Sequence, residues 1–173
     1  MNRRYAMKRL AILALLAAVL AGCGPAEEGA QQAAEAPRSG VQLDVTPPEP
    51  LEVPEPKEVS SDTDWEAKVY NKNIEVIEVM NVINPVAAYI TKGFEEYGDR
   101  FSSTLHEEWT DTQGQLTKAT TLYESCKERM EAGDYDKELF LDLEEVWQLL
   151  VKTGVAGVRT KSMVDAELQK LTA

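Results

Sequence analysis

Several groupings of residues in this sequence could do chemistry. His106 lies among carboxylates in "TLHEEW", beside Glu107 and Glu108 and close to Asp111. A metal site there would pair His106 with a carboxylate one helical turn away. Zinc sites take roughly three or four ligands from His, Cys, Asp or Glu, and di-iron bundles take a pair of Glu-x-x-His repeats. The chain has 1 histidine, so neither set can be assembled around it. A Ser-His or Cys-His nucleophile system would also have to use His106, and no nucleophile-elbow motif accompanies it. His106 therefore reads as a partly exposed surface histidine. "DYDKE" (Asp134, Asp136, Glu138) has the alternating carboxylates of a calcium loop but lacks that loop's glycine and distal glutamate. Helix capping by Asp134 accounts for it. The pairs Glu95-Glu96, Glu107-Glu108 and Glu144-Glu145 have the composition for acid-base catalysis. In an acidic helical domain such pairs are solvated faces. The reading assigns no catalytic residue, no metal ligand and no cofactor.

The start of the chain is more specific. Arg3, Arg4, Lys8 and Arg9 precede an apolar run from Leu10 to Leu20, followed by Ala21, Gly22 and Cys23. A basic region, a short apolar region and small residues are the parts of a secretory signal. The run is shorter than the ~20 apolar residues that span a bilayer. "NRRYAMK" is similar to a twin-arginine export motif, with Ala6 in place of its apolar aromatic, and the strongly apolar run favours the general secretory route. Met7 opens "MKRL", a complete signal in itself, and is a second possible start.

"LAGC" (Leu20 to Cys23) resembles the lipobox of bacterial lipoproteins. The resemblance implies cleavage between Gly22 and Cys23, a diacylglycerol on the Cys23 thiol and acylation of the new amine. Two or more acyl chains anchor a protein firmly where one does so marginally. Gly24 stands where enteric-type sorting reads Asp as an inner-membrane signal, which implies the outer membrane, facing the periplasm. With Cys23 consumed by lipid, Cys126 is left unpaired in an oxidising compartment. It falls on an apolar seam with Tyr123 and Met130, so it reads as a buried small hydrophobe. An intermolecular disulfide is the alternative.

Net charge is −12 over 173 residues, and loss of the four basic residues of the signal leaves residues 23–173 at −16. Such a surface repels nucleic-acid phosphates and anionic lipid head groups. Residues 24–63 hold seven of the 8 prolines and no aromatic residue, and their acids outnumber bases nine to two. "TPPEPLEVPEPKEV" can neither continue a helix nor bury a core. It reads as a disordered, polyproline-like spacer, about 35 Å long if coil-like. The alternative is a Pro-rich motif recognised by a partner's groove.

From Asp64 the pattern is helical, and residues 64–173 read as an all-α domain. Trp65, Val69, Val76, Met80 and Ile83 share one face, widened by Ile74, Ile77 and Val79. Asn84-Pro85 suits an N-cap and first helical position, with a continuous kinked helix as the other possibility. Phe101, Leu105, Trp109, Thr112, Leu116, Ala119, Tyr123, Cys126 and Met130 form a four-three seam over 99–131, with a break foreseen near Asp111–Gly114. Gly133 suits a helix end. A helix over about 135–153 carries Leu139, Phe140, Leu143, Val146, Trp147 and Leu150. Gly154 and Gly157 loosen the chain beyond it, and Ser162 caps a short tail. The expectation is an up-down bundle of three or four main helices plus a short C-terminal one. That architecture is similar to periplasmic cytochromes of the c-prime type, which bind haem through Cys-x-x-Cys-His. The corresponding "GVAGV", Gly154 to Val158, lacks both cysteines and the histidine, so no haem function carries over.

The sequence thus implies three parts: a signal peptide (1–22), a lipidated Cys23 with an acidic linker (23–63), and a helical domain (64–173). The expected role is a non-catalytic binding or scaffolding module of the cell envelope, membrane-anchored through Cys23, with an envelope protein as partner and no nucleic acid. The alternative is a small-ligand carrier or enzyme with a pocket inside the bundle, lined by the three tryptophans.

Overall fold

The computed structural model describes residues 41–171. The signal peptide, Gly22, Cys23 and the first part of the linker lie outside the described residues. The described elements are α1 (Trp65–Tyr97), a 3₁₀ turn (Gly98–Arg100), α2 (Ser103–Glu131) and α3 (Lys137–Lys170). There is no strand among the described residues. The expectation of an all-α bundle holds. Its main body is three helices, and the short C-terminal helix is the last part of α3.

Each helix starts where a side chain takes up its orphan N–H groups. Asp64 accepts from Ala67 N at 3.2 Å and Ser102 accepts from Leu105 N. Asp136 accepts from Leu139 N at 2.7 Å. The cap of α3 is therefore Asp136, not Asp134 as foreseen; Asp134 instead bonds Arg129 Nε at 2.9 Å. Gly133 ends the α2 turn at φ 77°, a conformation that disfavours any side chain.

Three breaks foreseen from propensity do not occur. Helix α1 runs through Pro85, so Asn84 is not a cap. Proline there removes one donor and crowds the carbonyl of Asn81, at about 3 kcal/mol in an isolated helix. Burial of Val79, Ile83, Val86 and Ile90 on one side of α1 offsets that. Helix α2 runs through Gly114 because its seam is buried before and after it, at Leu105, Trp109 and Thr112 and then at Ala119, Tyr123 and Cys126. Helix α3 runs through Gly154 and Gly157, both buried. Ser162 is inside α3 and donates to Val158 O at 3.1 Å rather than capping a new helix.

The glycines of α3 mark a close approach. A Cβ built on Gly157 would lie 3.6 Å from Val86 Cγ1. Thr112 and Thr160, both buried, bring their hydroxyl oxygens within 3.4 Å across the α2–α3 contact. This layer of small residues forms a waist between two apolar clusters. One contains Val69, Val76, Tyr123, Cys126, Leu143 and Val146. The other contains Ile90, Phe101, Leu105, Trp109, Val164 and Leu168. Helix α3 packs closely on both α1 and α2, whereas long side chains span much of the α1–α2 gap. Tyr123 donates to Asn73 at 2.9 Å, and Phe94 stacks on Trp109 at 6.0 Å between centroids.

Residues 41–60 are extended and carry no regular secondary structure. They lie along α1 as a strap running antiparallel to it. Val41 and Leu43 pack on the second apolar cluster. Leu51 N–H donates to Asn81 Oδ1 at 2.7 Å, and Asn81 Nδ2 donates to Leu51 O at 2.8 Å. Lys57 and Asn71 repeat the arrangement, at 2.8 Å for both bonds. The disordered spacer expected over 24–63 is, for 41–60, an extended segment held on the domain: its prolines favour the extended backbone, and Asn71 and Asn81 take up its peptide groups.

Candidate functional site

The residues with chemical potential fall in separate places. At the end nearer the α2–α3 turn, Lys72 is 9 % exposed. Its Nζ lies 2.7 Å from Glu75 Oε2 and 2.6 Å from Glu144 Oε2, and 5.3 Å from the centroid of Trp147. Burial alone would lower its pKa. The hydrogen bonds it donates to Glu144 and Glu75 outweigh that, and the ammonium is held above its ordinary 10.5. The sequence reading missed Lys72. Its position one turn after Val69 and one before Val76, on the core face of α1, was the available signal.

At the opposite end, the His106 Nε2 is 2.9 Å from Gly98 O, and its ring meets Phe94 edge-on at 5.1 Å. Bonded to Gly98 O, His106 ties α2 to the 3₁₀ turn. Glu108 pairs with Arg159 at 3.4 Å. Among the described residues the hydrogen-bond partner of the His106 ring is Gly98 O, not a nucleophile.

The paired glutamates point apart. Glu144 goes to Lys72, while Glu145 meets Lys118 at 3.7 Å. Glu96 pairs with Lys92 at 2.9 Å. Consecutive helical residues diverge by about 100°, so adjacent acids serve different neighbours. Two of the acids of "DYDKE", Asp134 and Asp136, pair with Arg129 at 2.9 and 3.0 Å, and its guanidinium also reaches Asp142 at 3.0 Å. Among the described residues no group of His, Cys, Asp and Glu is placed to hold a metal ion.

Cys126 is a free thiol, 1 % exposed, in the first apolar cluster. Burial, with Asp142 adding to it, pushes its pKa up to about 11. A buried thiol that stays protonated is inert as a nucleophile. Tyr123, one turn away, is pushed up to about 12 by burial and by Glu124.

The three tryptophans line no common pocket. Trp65 lies 6.1 Å from Phe140, Trp147 lies by Lys72, and Trp109 is at the other end with Phe94. The enclosed gap at the waist, lined by Ile83, Val86, Trp109, Thr112 and Gly157, measures about 10 Å³. That is about the room for one water. A larger concavity of about 540 Å³ is an open shelf on α3 beside Val155, Val158 and Met163.

Helix α1 with the following turn, Trp65–Arg100, is long and apolar enough to cross a membrane, with mean hydropathy 1.3 in its best window. One face of this helix packs on α3 and another carries the strap, and 33 % of that window is buried. Ile74, 2 % exposed and outside both core clusters, falls between Asn71 and Asn81 on the strap face. In the strap, two asparagine side chains of α1 hold the main chain of another segment. Comparison with protein-family models, with curated proteins and with solved structures finds no match to this chain.

Proposed function

We propose that this chain is a lipid-anchored protein of the bacterial cell envelope that binds a partner protein and does no chemistry of its own. The observation that carries the reading is "LAGC" after a basic, apolar signal, followed by an acidic, Pro-rich linker. A lipid anchor and linker hold a domain at high effective concentration near a membrane partner. Gly24 supports the outer membrane, with the domain facing the periplasm. The destinations of the titratable groups are consistent with this role. His106, Lys72, Arg129 and the paired glutamates are engaged in turn, core and surface contacts rather than converging on one point. The carrier reading needs a pocket between the helices, and the waist gap of about 10 Å³ offers little support for one.

The test is crosslinking in intact membranes from photoreactive groups placed on the bundle surface, with the captured species identified. A specific envelope protein supports the reading. No specific capture, together with a small molecule or metal retained at stoichiometric occupancy by the purified chain, would replace it with the carrier or enzyme.

A further inference from the structure

The strap face of α1 reads peptide main chain. Asn71 and Asn81 each make a two-point bond, one accepted and one donated, with the backbone of a single strap residue. None of these four bonds involves a strap side chain, so the pair selects conformation rather than sequence. Leu51 and Lys57 are two polyproline turns apart at about three residues per turn, which turns their amide edges the same way. Pro54, one turn from each, is the half-buried residue of that run. Along α1 the two asparagines are separated by about 15 Å. Six residues of polyproline helix cover about 19 Å, which a strap inclined by roughly 35° to α1 brings onto the two asparagines. Gly93 completes the face: a Cβ there would come within 3.3 Å of Leu43 Cδ1.

The resident occupant suits this face in conformation, and in charge only at Lys57, whose ammonium meets Glu66 of α1 at 2.7 Å. Residues 41–60 carry Asp44, Glu49, Glu52, Glu55 and Glu58 against the single Lys57, and residues 64–173 carry 21 acids against 12 bases. Leu51, Val53 and Val59 remain 41 %, 44 % and 43 % exposed and gain little from docking. What holds the strap is its backbone, Val41 and Leu43 on the second cluster, Lys57 on Glu66 at 2.7 Å and over the Tyr70 ring, and a short covalent link to α1, which supplies a millimolar-scale effective concentration. A segment with the same backbone geometry and fewer acids would fit better.

We infer that the Asn71–Ile74–Asn81 face of α1 is a docking site for an extended, proline-containing segment of neutral or basic character in a partner protein. Residues 41–60 are the occupant that such a segment displaces. This rests on the interaction-module reading and specifies the partner's chemistry.

The test uses the isotopically labelled mature chain, residues 23–173 with Cys23→Ala, and follows amide hydrogen exchange at Leu51 and Lys57. The probe is an unlabelled peptide of residues 41–60 with Glu49→Gln, Glu52→Gln, Glu55→Gln and Glu58→Gln; the comparison is the unaltered peptide. The two amides are slow to exchange in the chain alone. Millimolar neutral peptide speeds both. The acidic peptide needs about ten times the concentration at low salt, and the difference shrinks near molar salt, where the screening length falls to about 3 Å. In Asn71→Ala/Asn81→Ala both amides exchange fast without peptide, the peptides change nothing, and circular dichroism shows the helices intact. Protected amides that neither peptide affects would make the strap a fixed part of the domain and overturn the site. Unprotected amides in the unsubstituted chain, or equal potency of the two peptides, would overturn it too. These outcomes leave the membrane crosslinking result untouched, and an empty crosslinking result does not alter peptide exchange, so the two failures are separable.

Discussion

Lys72 and Glu144 meet at 2.6 Å across the α1–α3 contact, with the lysine side chain 10 % exposed and the glutamate 33 %. The ammonium also lies over Phe140 at 5.7 Å and Trp147 at 5.3 Å. Two helices that are parallel in space and far apart in sequence are thus fixed in register by one cation. Lys72→Ala removes the charge and the packed stem together and leaves Glu75 and Glu144 facing each other. The expected loss is roughly 2–3 kcal/mol, somewhat below the range for a fully buried pair because Glu144 can rehydrate. Lys72→Met keeps the stem against the rings and loses less. Urea unfolding of both variants checks the order; equal losses would mean that the charge alone, and not the packing of the stem, sets the register.

The alkaline limb of the stability curve follows from the raised groups. A thiol whose folded pKa stands at about 11 against an ordinary 9.0 contributes stability in full below pH 9. That contribution is lost as pH climbs from 9 through 11, on the order of 2 kcal/mol. Lys72, also raised, loses its contribution in the same direction at still higher pH. Melting temperature should fall steeply above pH 9, and Cys126→Ala, though less stable at neutral pH from its lost packing, should show a shallower fall. Parallel curves for the two proteins would show that Cys126 is not the titrating group.

Burial also sets the reactivity of Cys126. Alkylation of the native protein should wait on unfolding, at least about a hundredfold slower than in denaturant, since the open fraction of a stable domain is small. Non-reducing gels of membranes should show no disulfide-linked dimer. Fast alkylation of the folded chain would refute the buried thiol.

Two glycines should respond oppositely. A Cβ at Gly157 meets Val86 at 3.6 Å, an ordinary contact. Gly157→Ala should therefore stabilise by about 0.5–1 kcal/mol through helix propensity. A Cβ at Gly93 meets Val164 Cγ1 at 3.0 Å and Leu43 Cδ1 at 3.3 Å. Gly93→Val should destabilise by about 1–3 kcal/mol, as overpacking does, and loosen Leu43. Thermal melts of the pair decide it.

Lipidation is checked directly. Metabolic labelling with a fatty acid should mark the wild-type chain and not Cys23→Ala, and the variant should leave the membrane fraction. Equal labelling of the two would remove the anchor from the proposed function.

Much of the bundle was legible because helical periodicity is local. The four-three seam that starts at Phe101, just before α2, and runs along α2 to Cys126 names the residues found buried there, with Leu116 and Met130 partly so. The helix start at Asp64 and the stop at Gly133 were legible for the same reason: a carboxylate cap and a left-handed glycine act on adjacent backbone. The errors came where a local penalty was set against distant packing. Pro85, Gly114, Gly154 and Gly157 each weaken an isolated helix. Whether the helix continues depends on what lies against it, and Val86 against Gly157, far apart in sequence, is such a contact.

The sequence by itself determined that the folded part is helical, that residues 41–60 are extended, and which residues could carry lipid, metal or proton chemistry, because composition and spacing act within a few residues of themselves. Only the tertiary structure decided that two asparagines on α1 clamp the backbone of Leu51 and Lys57, that Lys72 is enclosed by Glu75, Glu144 and Trp147, and that the paired glutamates turn to separate neighbours. An asparagine has the same local signature whether it faces water or a peptide bond, and a lysine on a helix is distinguished from its neighbours only by what folds over it. Those contacts exist only once segments distant in the chain are brought side by side.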